Sequence, residues 1–246
     1  MRLMPVIVAA FVLAIQGPVL AQEWIEFASL DDRFTCNFPG QPTVTETTWT
    51  SEYDADLPAR VYSAERGLGR YSMTVVDYNQ AEPILTERAE ACPAGAETCR
   101  GGGGSTGLGY WKLDVRGALV FASWKFMQRD ATLTHYNLNH MDVVEGHNLH
   151  LTNNADQSRT FASIYMHENK LYVMEATVPA GYPEPGLFQQ SLGWLDENGN
   201  GLRYQRFYSN GFPAPERANR GGRRQGQGRG NATGANTGQE GQARRF

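Results

Sequence analysis

The sequence predicts an α+β fold: an antiparallel β-sheet with two or three flanking helices, followed by a disordered basic C-terminal tail. Three observations carry this. Short stretches alternate apolar and polar residues, which is the period of a half-buried strand. Turn-forming pairs separate those stretches at hairpin spacing. Only a few segments show the three-and-four spacing of a helix face. With 41% apolar residues in a chain of 246, there is enough material for one large core.

Residues 1–21 read as a secretory signal peptide. Arg2 supplies the positive start, and Met4 to Ile15 is an apolar run too short for a ~20-residue bilayer span. Gly17 and Pro18 break the run, and Val19-Leu20-Ala21 sets up cleavage before Gln22. Residue 22 is not Cys, so the lipid-attachment pattern is absent. The expectation is an exported protein, periplasmic or secreted, with no transmembrane anchor after cleavage.

Residues 22–212 read as a single α+β domain. Trp24 to Phe38 is strand, turn, strand, with Asp31-Asp32 at the turn and Pro39-Gly40 ending the second strand. Thr43 to Ser51 is Thr- and Val-rich and strand-like. Ala59 to Glu65 and Tyr71 to Tyr78 form a hairpin across Arg66-Gly67-Leu68-Gly69-Arg70. Pro83 to Cys92 suits a short helix, because proline is tolerated in a first turn and Leu85, Ala89 and Cys92 recur at helical spacing. Ala118 to Met127 is mostly apolar, and its periodicity fits a buried strand or a short helix equally.

Two further hairpins follow. Thr132 to Val144 meets His147 to Leu151 across Glu145-Gly146, and Thr160 to His167 meets Lys170 to Val178 across Glu168-Asn169. Pro183-Glu184-Pro185 opens a helix over Gly186 to Leu192. Asp196 to Gly201 is a turn, and Leu202 to Tyr208 a last strand. From residue 213 apolar side chains nearly vanish. That composition does not offset the entropy of ordering, so residues 213–246 are expected to be a disordered Arg/Gly-rich tail.

The segment Trp24, Phe27, Asp32-Arg33-Phe34, Phe38-Pro39-Gly40-Gln41-Pro42 resembles the opening of bacterial exported proteins of unknown function with a PsbP/Mog1-like fold. Leu171-Tyr172-Val173 together with Phe188-Gln189-Gln190-Ser191-Leu192 resembles the closing strand and helix of the same group. The resemblance spans Trp24 to about Leu195. It implies an antiparallel sheet flanked by helices, used mostly for binding or assembly, and it supplies no catalytic residues. The stretch from Cys92 to Gly109 and the basic tail depart from it.

The candidate chemistry is sparse. Cys92 and Cys99 bracket a small turn-forming loop and are expected to form a disulfide worth about 2 kcal/mol. Cys36 alternates with Phe34 and Phe38 along a strand and is expected to be a buried, inert thiol. Gly102 to Gly107 formally satisfies G-x-G-x-x-G, but lacks the preceding strand and following helix of a dinucleotide site.

Asp196, Asn198 and Asn200 occupy the front positions of a calcium loop. Phe207 stands where the bidentate Glu is needed, so the reading is a reverse turn. Four of the five histidines fall between His135 and His150. A turn at Glu145-Gly146 would put His140 on the core side with Leu138, Val144, Leu149 and Leu151. His135 and His150 would lie on the polar face, so no metal site converges. No serine elbow, H-E-x-x-H or Cys–His motif is present.

The tail arginines Arg217, Arg220, Arg223 and Arg224 suit an anionic surface, with no aromatic interleaving for nucleic-acid stacking. Residues 213–246 hold seven Arg against two Glu, so the acidic excess behind the net charge of −4 lies in the body. The function expected is an exported, non-enzymatic binding or assembly module of the cell envelope. No catalytic residue and no cofactor are assigned, and the partner is an unidentified protein or envelope component. The alternatives are an exported hydrolase with a site dispersed over loops and a calcium-stabilised extracellular module.

Overall fold

The computed structural model describes residues 23–91, 110–211 and 214–217. The signal segment, Cys92, Cys99, the glycine-rich loop, Arg220, Arg223 and Arg224 lie outside the described residues. The fold is α+β, with two antiparallel sheets.

The main sheet has seven strands in the order β3-β4-β5-β9-β8-β7-β6. They are β3 (Thr43–Thr50), β4 (Asp56–Arg66), β5 (Gly69–Asp77), β6 (Ala131–Met141), β7 (Val144–Asn153), β8 (Arg159–His167) and β9 (Lys170–Val178). The small sheet runs β1-β2-β10-β11, from β1 (Ile25–Ser29), β2 (Phe34–Phe38), β10 (Gly193–Leu195) and β11 (Gly201–Leu202). The helices are α1 (Ala81–Glu90), α2 (Tyr110–Met127) and α3 (Gly186–Gln189).

Strand alternation sorts the main sheet into two faces. Leu57, Ala59, Val76, Ile164, Met166, Leu171 and Val173 point toward α1 and α2. Tyr62, Met73, Val75, Tyr165, Tyr172 and Met174 point toward the small sheet and α3, where Phe34, Phe38, Phe188 and Trp194 meet them. Central strands β8 and β9 are therefore covered on both faces over most of their length, which explains their nearly continuous burial.

Residues 118–127, undecided between strand and helix by periodicity, form the C-terminal part of helix α2, which begins at Tyr110. Trp111, Val115, Ala118, Ala122 and Phe126 recur at helical spacing and pack on the sheet; the small alanines let the helix axis approach it.

Two expectations are corrected. The β6–β7 turn lies at Asp142-Val143, both with positive φ (45° and 61°), and not at Glu145-Gly146. Gly146 is a strand residue crossed by the Tyr165 ring, leaving no room for a Cβ. Backbone bonds from Tyr208 N to Val143 O (2.9 Å) and from Glu145 N to Tyr208 O (3.0 Å) brace the strained turn. In the second correction, the last strand is only Gly201–Leu202; beyond it the chain makes isolated bridges, Val144 with Tyr208 and Tyr204 with Arg217.

Candidate functional site

The β1–β2 turn carries the densest polar network. Asp32, with its side chain only 4% exposed, is held from two strands. Its Oδ1 accepts hydrogen bonds from Arg60 Nη2 (2.6 Å) and Lys170 Nζ (3.0 Å). Its Oδ2 accepts from Arg60 Nε (2.8 Å) and Tyr62 OH (2.6 Å). Its backbone carbonyl accepts from Tyr172 OH (2.8 Å). Burial by itself would raise the carboxyl's pKa; the hydrogen bonds from Arg60, Tyr62 and Lys170 outweigh it and hold the group below the usual range. A cleft of about 300 Å³ opens beside it, lined by Glu46, Arg60, Asp77 and Lys170 among others. Every acceptor site on Asp32 is already engaged, so its chemistry is spent on fastening the small sheet to the large one.

A second, wider cleft of about 680 Å³ lies where the helices leave the main sheet uncovered. Cross-strand neighbours Thr43, Ser63, Ser72 and Glu175 form a row of its floor. Glu175 is clamped from outside by Arg129, which follows α2, at 2.6 and 2.9 Å.

The histidines do not converge. His135 and His150 are cross-strand neighbours with ring centroids 4.8 Å apart, on one face as expected. His140 shares the face of Leu138 and Leu149, as expected, but not that of Val144, and it is exposed rather than buried because β6 ends the sheet; the earlier turn pairs it with Glu145 and sets its ring against Phe207. Among the described residues no group of three or more His, Cys, Asp or Glu side chains is placed to hold a metal ion.

Sequence reading missed two histidine environments. His147 Nδ1 lies 2.7 Å from Ser123 Oγ and 3.1 Å from Tyr136 OH. Ser123 gives its own proton to the Leu119 carbonyl (2.9 Å), is 1% exposed, and stands on no cleft described above. The pair therefore ties α2 to β7 and lacks the serine-to-imidazole proton path of a nucleophile. His167 is wholly buried, with Nε2 2.8 Å from Tyr204 OH and its ring packed against Trp194 and Tyr208. Burial, then the charges of Arg217 and Arg33, push its pKa down to about 3. Each pairing joins residues far apart in sequence; no local motif marks it.

Cys36 is wholly buried, with Sγ 3.4 Å from Ser191 Oγ, and burial pushes the thiol up to about 12. Asp196 Oδ1 accepts from the amides of Asn198 (2.9 Å) and Asn200 (2.8 Å), so this carboxylate oxygen closes its own turn. Arg217, grouped with the tail by composition, lies on the body 3.8 Å from Glu168.

Exposed large apolar side chains recur on two elements. On α2 these are Leu113, Val120, Trp124 and Met127, opposite the face that packs on the sheet. On edge strand β6 they are Leu133, Tyr136 and Leu138, the last 80% exposed. Tyr136 and Leu138 pair with Leu149 and His147, whose side chains face the α2 layer, so both sets lie on one side of the sheet.

No family model matches the chain, and no curated protein matches it. Among solved structures it is similar to the solution structure of cyanobacterial PsbP (CyanoP) from Synechocystis sp. PCC 6803, at 13% identity and a TM-score of 0.34, covering 69% of this chain and 88% of that one.

Proposed function

We propose that the chain is an exported, non-enzymatic binding or assembly module of the cell envelope, and that it binds through the face formed by α2 and β6. The observation that carries this is the apolar set Leu113, Val120, Trp124, Met127, Tyr136 and Leu138, exposed on one side of the sheet. Large apolar side chains gathered in the open on one side of a fold mark interaction sites. The titratable groups support the same reading, because Asp32, His147 and His167 are engaged by neighbours within the fold. The apolar leader supports export, and among the described residues no helix is long and apolar enough to cross a membrane. Arg220, Arg223 and Arg224 would add weak, salt-sensitive attraction to anionic envelope surfaces.

The test is a photo-crosslinking side chain at Val120, with Thr45 on the far edge strand as control, in intact cells. Discrete adducts at Val120 and none at Thr45 are expected. No adduct at Val120, or the same adducts at both positions, would overturn the assignment of the binding face.

A further inference from the structure

We propose that β6 pairs antiparallel with β6 of a second copy about a two-fold axis at Asn137, doubling the main sheet. This rests on the reading of the α2–β6 face as a binding face and names its occupant.

The first support is the edge itself. β6 is the terminal strand of the seven, eleven residues long, and among the described residues only β7 pairs with it. Natural edge strands are usually short or guarded by Lys, Pro or an inward charge. Ala131–Met141 contains no Asp, Glu, Lys, Arg or Pro, and most of its side chains are exposed on both faces. The opposite edge, β3, is guarded at its middle by Glu46. β6 has one irregularity, between Leu133 and His135, which leaves 135–141 regularly paired with β7.

The second support is the side-chain pattern around Asn137. A two-fold axis perpendicular to the sheet keeps each face with its own kind. It sets Tyr136 opposite Leu138 of the other copy, twice, on the helix side of the sheet. On the other face it sets His135 opposite Asn139, twice, and Asn137 opposite itself. Aromatic–aliphatic cross-strand pairs stabilise a sheet, and two facing amides can bond each other. Tyr136 (44% exposed) and Leu138 (80%) are the side chains that such pairing would cover. An isologous contact of this kind closes as a dimer and leaves no further β6 edge for growth. The joined sheet would carry both α2 helices on one face.

Sedimentation equilibrium of the full-length product over roughly 1–100 μM tests this. A monomer–dimer equilibrium is expected, abolished by Leu138→Lys, a substitution at an exposed position that leaves the far-ultraviolet dichroism unchanged. Asn137→Cys should yield a disulfide-linked dimer joined at residue 137, identified by peptide mass mapping, whereas Thr132→Cys should not. A monomer throughout the range overturns the proposal. So does a dimer that survives Leu138→Lys without a 137–137 link, since it uses another surface. In either case adducts at Val120 would leave the wider binding-face reading standing.

Discussion

Gly146 lies beneath the ring of Tyr165, its cross-strand partner on β8, so closely that a Cβ would strike both the ring and the Ile164 carbonyl. Tyr165 cannot retreat, because it is wholly buried beside Trp194 and its hydroxyl accepts from Asn139 Nδ2 at 3.0 Å. Gly146→Ala should therefore cost about 1–3 kcal/mol, the range for overpacking a close-packed site. Gly186→Ala, where nothing stands within 4 Å of the added carbon, should change stability by less than about 0.5 kcal/mol. Urea unfolding of the two variants checks this; equal effects would count against the packing argument.

Asp32 should be the costliest polar residue to remove. Asp32→Ala leaves Arg60 and Lys170 facing a buried space without their shared carboxylate. Breaking such a pair from one side costs about 3–5 kcal/mol. The carboxyl's depressed pKa also sets a pH dependence. Its stabilisation is full above the unfolded value near 3.8 and is lost as pH falls through the lower folded value. Below about pH 4 the wild type should lose stability that the variant has already lost. Denaturant midpoints across an acid series read this directly.

His167 should act at milder acidity. Its folded pKa of about 3 lies below the unfolded value of 6.5, so the neutral ring is favoured on folding. Its contribution is complete above pH 6.5 and is lost progressively as pH falls from 6.5 toward 3, on the order of 4–5 kcal/mol across the window. His167→Phe should flatten the stability profile between pH 6.5 and 4, where Asp32 does not yet titrate. A profile unchanged by the substitution would mean that the ring's pKa is the same in the folded and unfolded states.

Cys36 should resist chemistry that reaches ordinary thiols. It is wholly buried with its pKa pushed up to about 12, so native protein at pH 8 should take no iodoacetamide at this position over hours. Labelling should become complete in denaturant. Mass mapping of the Cys36 peptide distinguishes the two, and rapid native labelling would show that β2 opens from the small sheet.

The sequence by itself determined the α+β class, both strands of the first hairpin, the β4–β5 and β8–β9 hairpins, the Asp196 turn and the burial of Cys36. In each case the signal was local: a two-residue period, a turn pair at the right spacing, or a side chain that bonds its own backbone, as Asp196 does. Residues 118–127 were not legible, because an apolar run that packs on a sheet satisfies both periods. The seam with the sheet made it a helix. The β6–β7 turn misled for a related reason. Glu145-Gly146 has hairpin chemistry, but the Tyr165 ring claims the space over Gly146, and Tyr208 holds the turn at Asp142-Val143. Only the tertiary structure brought Asp32 to Arg60 and Lys170, Ser123 to His147, and His167 to Tyr204. It also decided which apolar side chains stay outside. Leu138 and Val144 both read as apolar strand residues, yet one is 80% exposed on the edge and the other wholly buried. Exposure depends on which strand ends the sheet, and strand order follows from contacts far apart along the chain.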